Sequence, residues 1–123
     1  MTSLLPDETL GQLAHMSRAE IDELEVGVIK VDDTGLIELY SARESAIAGV
    51  AVQAAEGRNF FTQVAPCTNN RLLFGRFKTG VSVGELMFTL PYTFTYKMKP
   101  TNVYIQLYRD ARSKTNWVLT KYR

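Results

Sequence analysis

The sequence has few of the residues that build covalent crosslinks or metal sites. Its 123 residues include one cysteine and one histidine. A lone thiol cannot form an internal disulfide, and by itself it cannot build a zinc site. The value of Cys67 must therefore lie in packing or in its own reactivity. Because no cluster of metal ligands is present, the sequence predicts no metal site. No glycine-rich phosphate loop follows a strand either, so the motifs give little support to an enzyme.

Long apolar runs and an excess of charge are also missing. No segment approaches the length of a membrane span, and the N-terminus lacks the basic and then apolar layout of a signal peptide. Because the net charge is +1 and the basic residues are scattered, we expect no nucleic-acid surface. A free thiol suits a reducing compartment. These absences predict a cytoplasmic protein with neither membrane nor nucleic acid among its partners.

The N-terminal half carries the signals of short helices and a hairpin within one domain. Residues 7–24 have spaced apolar positions that predict short amphipathic helices, with a break near Met16. Residues 26–31 and 36–40 predict the two strands of a hairpin. The Ala- and Glu-rich segment 41–57 predicts short helices that its glycines interrupt.

The C-terminal half changes from helical to β-rich patterning. A helix is predicted at 72–78, and strands are predicted at 85–98, 103–108 and 117–121. Two strands, a helical middle and three strands predict an α+β domain of the PAS fold, with a five-stranded antiparallel sheet and helices on one face. We expect residues 1–25 to form an N-terminal helical cap and residues 26–123 to form the PAS core.

Three groups of residues are candidates for chemistry. Cys67 follows a proline and is the one notable nucleophile, although a lone buried cysteine is more often an apolar filler. Tyr40 and Glu44 lie four residues apart where a strand enters a helix, so both side chains can reach one pocket. The alternative is a half-buried tyrosine and a surface glutamate. Aromatic residues that suit either a core or a cofactor wall are Phe60, Phe61, Phe74, Tyr92, Phe94, Tyr96 and Trp117.

Taken together, these residues resemble the photoactive yellow protein (xanthopsin) family, which are small bacterial blue-light receptors of the PAS superfamily. The resemblance runs nearly end to end. It is carried by Gly57-Arg-Asn-Phe-Phe61 with Val64-Ala-Pro-Cys-Thr68, by Phe74-Gly-Arg-Phe-Lys78, by Tyr92-Thr-Phe-Thr-Tyr-Lys-Met98 before Pro100, and by Trp117-Val118. The Asn-Phe-Phe and Ala-Pro-Cys pair at this separation is much more specific than a general PAS pattern.

The resemblance implies a p-coumaric acid (4-hydroxycinnamic acid) chromophore, bound as a thioester to Cys67, whose backbone N–H would hold the thioester carbonyl. Tyr40 and Glu44 match the two donors that hold the phenolate end. For Glu44 to donate it must be protonated, which requires a pKa raised by burial. The positions that match the pocket wall are Ile29, Phe60, Val64, Phe94 and Met98, and Met98 is also the position linked in the family to thermal return.

The resemblance also implies a signalling sequence that involves no enzymatic activity. Light isomerises the chromophore from trans to cis, and the phenolate then takes a proton from Glu44. The remaining Glu44 anion has no partner in an apolar pocket, and partial unfolding of residues 1–25 relieves its cost. The implied partner is a downstream signalling protein that the sequence does not identify.

Two positions depart from the family pattern. Ala48 stands where the family usually has a threonine whose hydroxyl braces the pocket tyrosine, so Tyr40 should be less firmly held. Val50 stands where the family usually has an arginine that covers the phenolate end. We expect these two changes to give a mixture of yellow and shorter-wavelength protonated forms.

Two other functions stay open at the level of sequence. One is a PAS-type module that binds a different small molecule, or carries an acyl group on Cys67, with no light role; only Ala48 and Val50 favour it. The other is a cysteine-dependent acyl-transfer enzyme, which would need a base beside Cys67, and a protonated Glu44 is a poor base. The intact set of Cys67, Tyr40 and Glu44 favours light sensing.

Overall fold

A five-stranded antiparallel sheet organises the computed structural model, which describes residues 3–95 and 100–123. Its strands are β1 (Gly27–Val31), β2 (Ile37–Tyr40), β3 (Met87–Phe94), β4 (Thr101–Asp110) and β5 (Thr115–Tyr122). Their spatial order is β2-β1-β5-β4-β3, so the first strand pairs with the last one. The sheet is the one predicted, and the pairing of β1 with β5 places the first and last strands side by side.

Helical segments connect β2 to β3 over one face of the sheet. They are α3 (Ala42–Ala48), α4 (Val52–Ala55), a π-helical turn (Phe60–Val64), a 3-10 turn (Pro66–Thr68), a second π-helical turn (Arg71–Gly75) and α5 (Arg76–Val83). As predicted, α3 ends at Gly49, which adopts the left-handed φ of 74° that favours glycine. The helix predicted at 72–78 starts as a π-helical turn and continues to Val83.

The extended helix contains Gly80, a position at which the packing leaves no room for a Cβ. A Cβ at Gly80 would lie 2.7 Å from Leu86 Cδ1, closer than real Cβ contacts allow. The helix therefore keeps a residue of low helix propensity and gains close approach to the chain that enters β3.

The main core lies between the sheet and these connecting segments. Its larger members are Ile29, Val31, Ile37, Tyr40, Phe60, Phe61, Leu73, Phe77, Phe94, Ile105, Leu107 and Val118. Within β5, Val118 faces this core while its neighbours Trp117 and Leu119 face the other side, as the period of two in a strand requires.

The N-terminal segment covers the opposite face of the sheet. It contains α1 (Asp7–Gln12), a 3-10 turn (Leu13–His15) and α2 (Arg18–Asp22), and the predicted break at Met16 lies between the last two. The cap core that it forms with the sheet consists of Leu5, Leu10, Leu13, Ile21, Val26, Val28, Trp117 and Leu119. Both faces of the sheet are therefore covered, whereas the sequence had assigned no face to the cap.

Polar contacts tie this segment to α3. The Asp22 carboxylate accepts a hydrogen bond from the Ala42 N–H at 2.9 Å, and the Leu24 carbonyl accepts one from Arg43 Nε at 2.9 Å. Ala42 is the first residue of α3, so Asp22 satisfies one of the free N–H groups at that helix end. The cap segment thus contacts the same helix that carries Glu44.

Candidate functional site

The first turn of α3 holds Glu44 against the sheet. Ser41 is the N-cap of this helix, and its Oγ accepts hydrogen bonds from the Glu44 N–H at 3.1 Å and from the Val28 N–H at 2.9 Å. Because one oxygen binds both the helix and β1, the turn is fixed to the strand. The Glu44 side chain is directed inward and is fully buried.

The two oxygens of the Glu44 carboxyl differ in their hydrogen bonding. Thr120 Oγ1 donates a hydrogen bond to Oε1, whereas Oε2 has no hydrogen-bond partner among the described residues. Burial deprives the carboxylate of water and raises the pKa of Glu44 to about 8, while the bond from Thr120 acts in the opposite direction. At neutral pH the carboxyl is therefore mostly protonated, and a protonated Oε2 can donate a hydrogen bond.

Gly27 provides the space for this carboxyl. It is the first residue of β1 and pairs directly with Thr120 of β5. A Cβ at position 27 would lie 3.0 Å from Glu44 Cα and closer still to the carboxyl oxygen Oε1. Any larger residue at position 27 would displace the Glu44 carboxyl. A glycine is therefore required here for lack of space.

Tyr40 ends β2 and points into the main core. The Tyr40 hydroxyl is buried. In the sheet, the Tyr40 backbone pairs with Ile29 of β1. Its backbone N–H donates to Glu56 Oε2 at 2.9 Å, which fixes the strand end. Because both Tyr40 and Glu44 are fully buried, the alternative of a half-buried tyrosine and a surface glutamate is wrong.

Cys67 lies in the 3-10 turn after the first π-helical turn, and its half-buried side chain packs against the main core. Its carbonyl is held from outside the turn, by a short hydrogen bond from the Tyr92 hydroxyl and by Asn70 Nδ2 at 3.2 Å. Thr68 Oγ1 donates to the Ala65 carbonyl at 2.6 Å and closes the turn. The cysteine is thus presented to the interior by a braced segment.

We expect Tyr92→Phe to lower the free energy of unfolding by about 1–2 kcal/mol, because the Cys67 carbonyl loses its strongest donor. Urea unfolding followed by tryptophan fluorescence measures the difference. Tyr122→Phe is the matched control, since its hydroxyl is 3.5 Å from the Ile47 carbonyl and should contribute little. Equal losses in the two variants would contradict a special role for Tyr92.

The other predicted pocket residues differ in how deeply they are buried. The buried members of the main core are Ile29, Phe60, Val64 and Phe94. Val50 is half-buried and packs against the same core, and Ala48 is half-buried. Met98 lies outside the described residues, so its predicted place in the pocket stays a prediction.

Most of the aromatic residues that suited either a core or a cofactor wall pack in the hydrophobic core, which is the more frequent location for such residues. Phe61 stacks on Phe74 with ring centroids 4.6 Å apart and meets Phe60 edge-on at 5.1 Å. Trp117 belongs to the cap core on the opposite face and cannot line the pocket. Tyr96 lies outside the described residues.

Three contributors were missed by the sequence analysis. Thr120 is a polar residue at an inward-facing position of β5, Gly27 lies in a strand, and Asn70 follows the cysteine turn. A polar residue on an apolar face and a glycine in a strand are both signals of close contact. The partners of Thr120 and Gly27 lie too far away in sequence to be read from spacing, whereas Asn70 binds the Cys67 carbonyl only three residues before it.

Other kinds of site find no support in the described residues. Among residues 3–95 and 100–123, no three or more His, Cys, Asp or Glu side chains converge on a metal-binding position. None of the helices in these ranges combines the length and the apolar character that crossing a membrane requires.

Similarity to known proteins extends along nearly the whole chain. The photoactive yellow protein of Rhodothalassium salexigens is 37% identical over 115 residues, which cover 94% of this chain and 92% of that protein. The photoactive yellow protein domain of the sensor histidine kinase Ppr from Rhodospirillum centenum is 38% identical, with a TM-score of 0.84 over 90% of this chain and 97% of that one. No family model matches the sequence.

A more distant neighbour confirms the fold class alone. The PAS domain of an HTR-like protein from Haloarcula marismortui has a TM-score of 0.63 at 14% identity, over 96% of this chain and all of that one. The predicted five-stranded PAS architecture is therefore confirmed.

Proposed function

This chain belongs to the photoactive yellow protein family, and from that premise we propose that it is a blue-light photoreceptor with a p-coumaroyl chromophore thioester-linked to Cys67. A photoreceptor role, a bound chromophore and sensory transduction come with the family, and the chain is not an enzyme. The identity of the chromophore, its bond and its binding residues are the proposal. The observation that carries it is the buried Glu44 carboxyl, whose Oε2 has no partner among the described residues.

The residues of this site fit a p-coumaroyl group. A buried phenolate needs hydrogen-bond donors, since an unpaired buried anion is strongly destabilised. Glu44 Oε2 can donate when the carboxyl is protonated, and the buried Tyr40 hydroxyl is a second donor. Tyr40 lies within the apolar main core, and the Cys67 side chain packs against the same core. A bound phenolate would also give Oε2 the partner that it lacks in the chain alone.

Attachment requires an activated p-coumaroyl ester that other proteins supply. The Cys67 sulfur forms a bond to the acyl carbon, the activating group leaves with the bonding electrons, and the thiol proton is released. We place the thioester carbonyl on the Cys67 N–H, and we assign the wall to Ile29, Phe60, Val64, Phe94 and Met98, with Ala48 and Val50 at the phenolate end.

Signalling follows from proton movement at Glu44. When bound, the chromophore supplies a double bond that light isomerises from trans to cis and a phenolate that can be protonated. Glu44 releases its proton from Oε2 and is left as a buried carboxylate with Thr120 as its donor. Partial unfolding of residues 1–25 lets water reach this anion, which relieves its burial.

We propose that the changed cap surface is recognised by a signalling protein in the cytoplasm. A photoactive yellow protein domain in a sensor histidine kinase suggests this kind of partner. The alternative function is a PAS module that binds another small molecule or acyl group with no light role, and the apolar Val50 beside the main core favours it.

The test is the absorption spectrum after mixing the chain with activated p-coumaric acid, before and after blue illumination. We expect a visible band that bleaches and returns in the dark, and no band in Cys67→Ala. No adduct, or an adduct without a reversible bleach, would favour the alternative.

Because of Ala48 and Val50, we expect a mixture of yellow and protonated forms, which Ala48→Thr with Val50→Arg should shift towards yellow. A clean yellow band at neutral pH would contradict that expectation alone.

A further inference from the structure

Thr120 lies opposite Glu44 on the inward face of β5. Val118 and Thr120 share this face, and Thr120 is fully buried. Its neighbours in the sheet are Gly27 of β1 and Ile105 of β4, neither of which has a polar side chain. A hydroxyl at such a position is destabilising unless it is hydrogen-bonded. Within the described part of the chain, its partner is Glu44 Oε1.

The contact between Thr120 and Glu44 depends on the absence of a side chain at Gly27. A Cβ at that position would approach both Glu44 Oε1 and Thr120 Oγ1 more closely than real Cβ contacts allow. Three elements therefore shape the contact, since β1 gives the space, β5 gives the hydroxyl and α3 gives the carboxyl.

We infer that Thr120 is a positioning residue that fixes Glu44 Oε1 as an acceptor and so places the carboxyl proton on Oε2. A neutral carboxyl has one acceptor oxygen and one O–H donor, and a threonine hydroxyl has one proton to donate. When Thr120 donates to Oε1, its own proton is satisfied and the acid proton is on the oxygen that has no partner among the described residues. Oε2 then becomes the atom that gives a hydrogen bond or a proton to a bound group.

The same bond stabilises the ionised form of Glu44. A carboxylate accepts a stronger hydrogen bond from a hydroxyl than a neutral acid does. Two opposing influences act on this carboxyl, since desolvation raises the pKa of Glu44 and the bond from Thr120 lowers it. Without the hydroxyl, ionisation should become about tenfold less favourable, which moves the midpoint of titration up by about one pH unit.

The test uses the full chain without chromophore and the infrared C=O band of protonated Glu44, identified by its loss in Glu44→Gln. In Thr120→Val we expect this band to shift to higher frequency, because the carbonyl loses a donor, and to titrate about one pH unit higher. Thr120→Ser keeps the hydroxyl and should restore both values. Thr89→Val on β3 is the matched control and should leave both unchanged. If the valine variant does not fold, Thr120→Ala gives the same comparison.

An unchanged band and midpoint in the variant without the hydroxyl would overturn the inference, and so would a shift that Thr120→Ser fails to restore. The role of Thr120 in light signalling rests on the proposed function, but the infrared measurement does not. Failure to form an adduct with Cys67 would therefore reject the chromophore and leave the positioning of Glu44 standing.

Discussion

Raising the pH from about 5 to 9 should lower the free energy of unfolding of the chromophore-free chain by about 3–5 kcal/mol, and Glu44→Gln should remove most of this dependence. Burial raises the pKa of Glu44 to about 8 in the folded chain, against 4.5 for the ordinary group. Between these values the folded state keeps a proton that the unfolded state has lost. The contribution of Glu44 is thus complete below pH 4.5 and is lost as the pH rises through about 8.

Other carboxyls with shifted pKa values act in a different pH window. Hydrogen bonds from Asn116 and Arg109 lower the pKa of Asp33 below 3.8. A lowered pKa gives stability that is present at higher pH and is lost only in acid. The decline above pH 5 can therefore be attributed to Glu44.

Urea unfolding at intervals of one pH unit measures this dependence. Glu85→Gln serves as the matched control, because it removes an exposed carboxyl and should reproduce the slope of the parent chain. If the parent and Glu44→Gln lose stability in parallel between pH 5 and 9, then Glu44 is not held protonated by the fold.

Local sequence patterns predicted most of the helices and strands. The four-residue spacing of Tyr40 and Glu44, where a strand enters a helix, allowed both side chains to reach the interior, and both are buried. Gly49 marked the end of α3 because few other residues adopt its backbone conformation. These features are determined within a few residues of chain, so the sequence is sufficient to find them.

Features that depend on distant pairing were not predictable. Thr120 meets Glu44 because β1 and β5 are neighbours, and that pairing joins residues about 90 positions apart. The face that the cap covers is likewise decided by packing on Trp117 and Leu119, which belong to the last strand. Sequence alternation tells which residues share a face of a strand, but not what covers that face.

In the reconstituted protein, blue light should accelerate amide hydrogen exchange in residues 3–25 by about 100-fold, while the amides of β4 and β5 should change little. In the proposed mechanism, the driving force is the carboxylate left at Glu44. A pKa raised from 4.5 to about 8 means that reaching water favours the ionised group by about 5 kcal/mol. A 100-fold acceleration needs about 2.7 kcal/mol, so the available free energy is sufficient even if part of it is lost.

We propose that the contacts between the cap segment and α3 provide the route for this response. Glu44 lies in the first turn of α3, next to Arg43, which binds the Leu24 carbonyl. Ala42 in the same turn donates to Asp22. A displacement of this turn towards water breaks both hydrogen bonds, and each is worth about 1 kcal/mol. The cap would therefore loosen first at α2, at the end of the segment that contacts α3.

Hydrogen exchange followed by mass spectrometry, in the dark and under light, tests the driving force and the route separately. Glu44→Gln cannot leave a buried carboxylate, so its cap should exchange at nearly the dark rate under illumination. Asp22→Ala should speed exchange of the cap in the dark, because Ala42 loses its acceptor, whereas Glu23→Ala removes an exposed side chain and should not. Acceleration confined to residues 3–25 would also support the predicted division into a cap of 1–25 and a core of 26–123. A cap that exchanges equally fast in light and dark, or one that responds fully in Glu44→Gln, would show that the Glu44 anion does not drive its release.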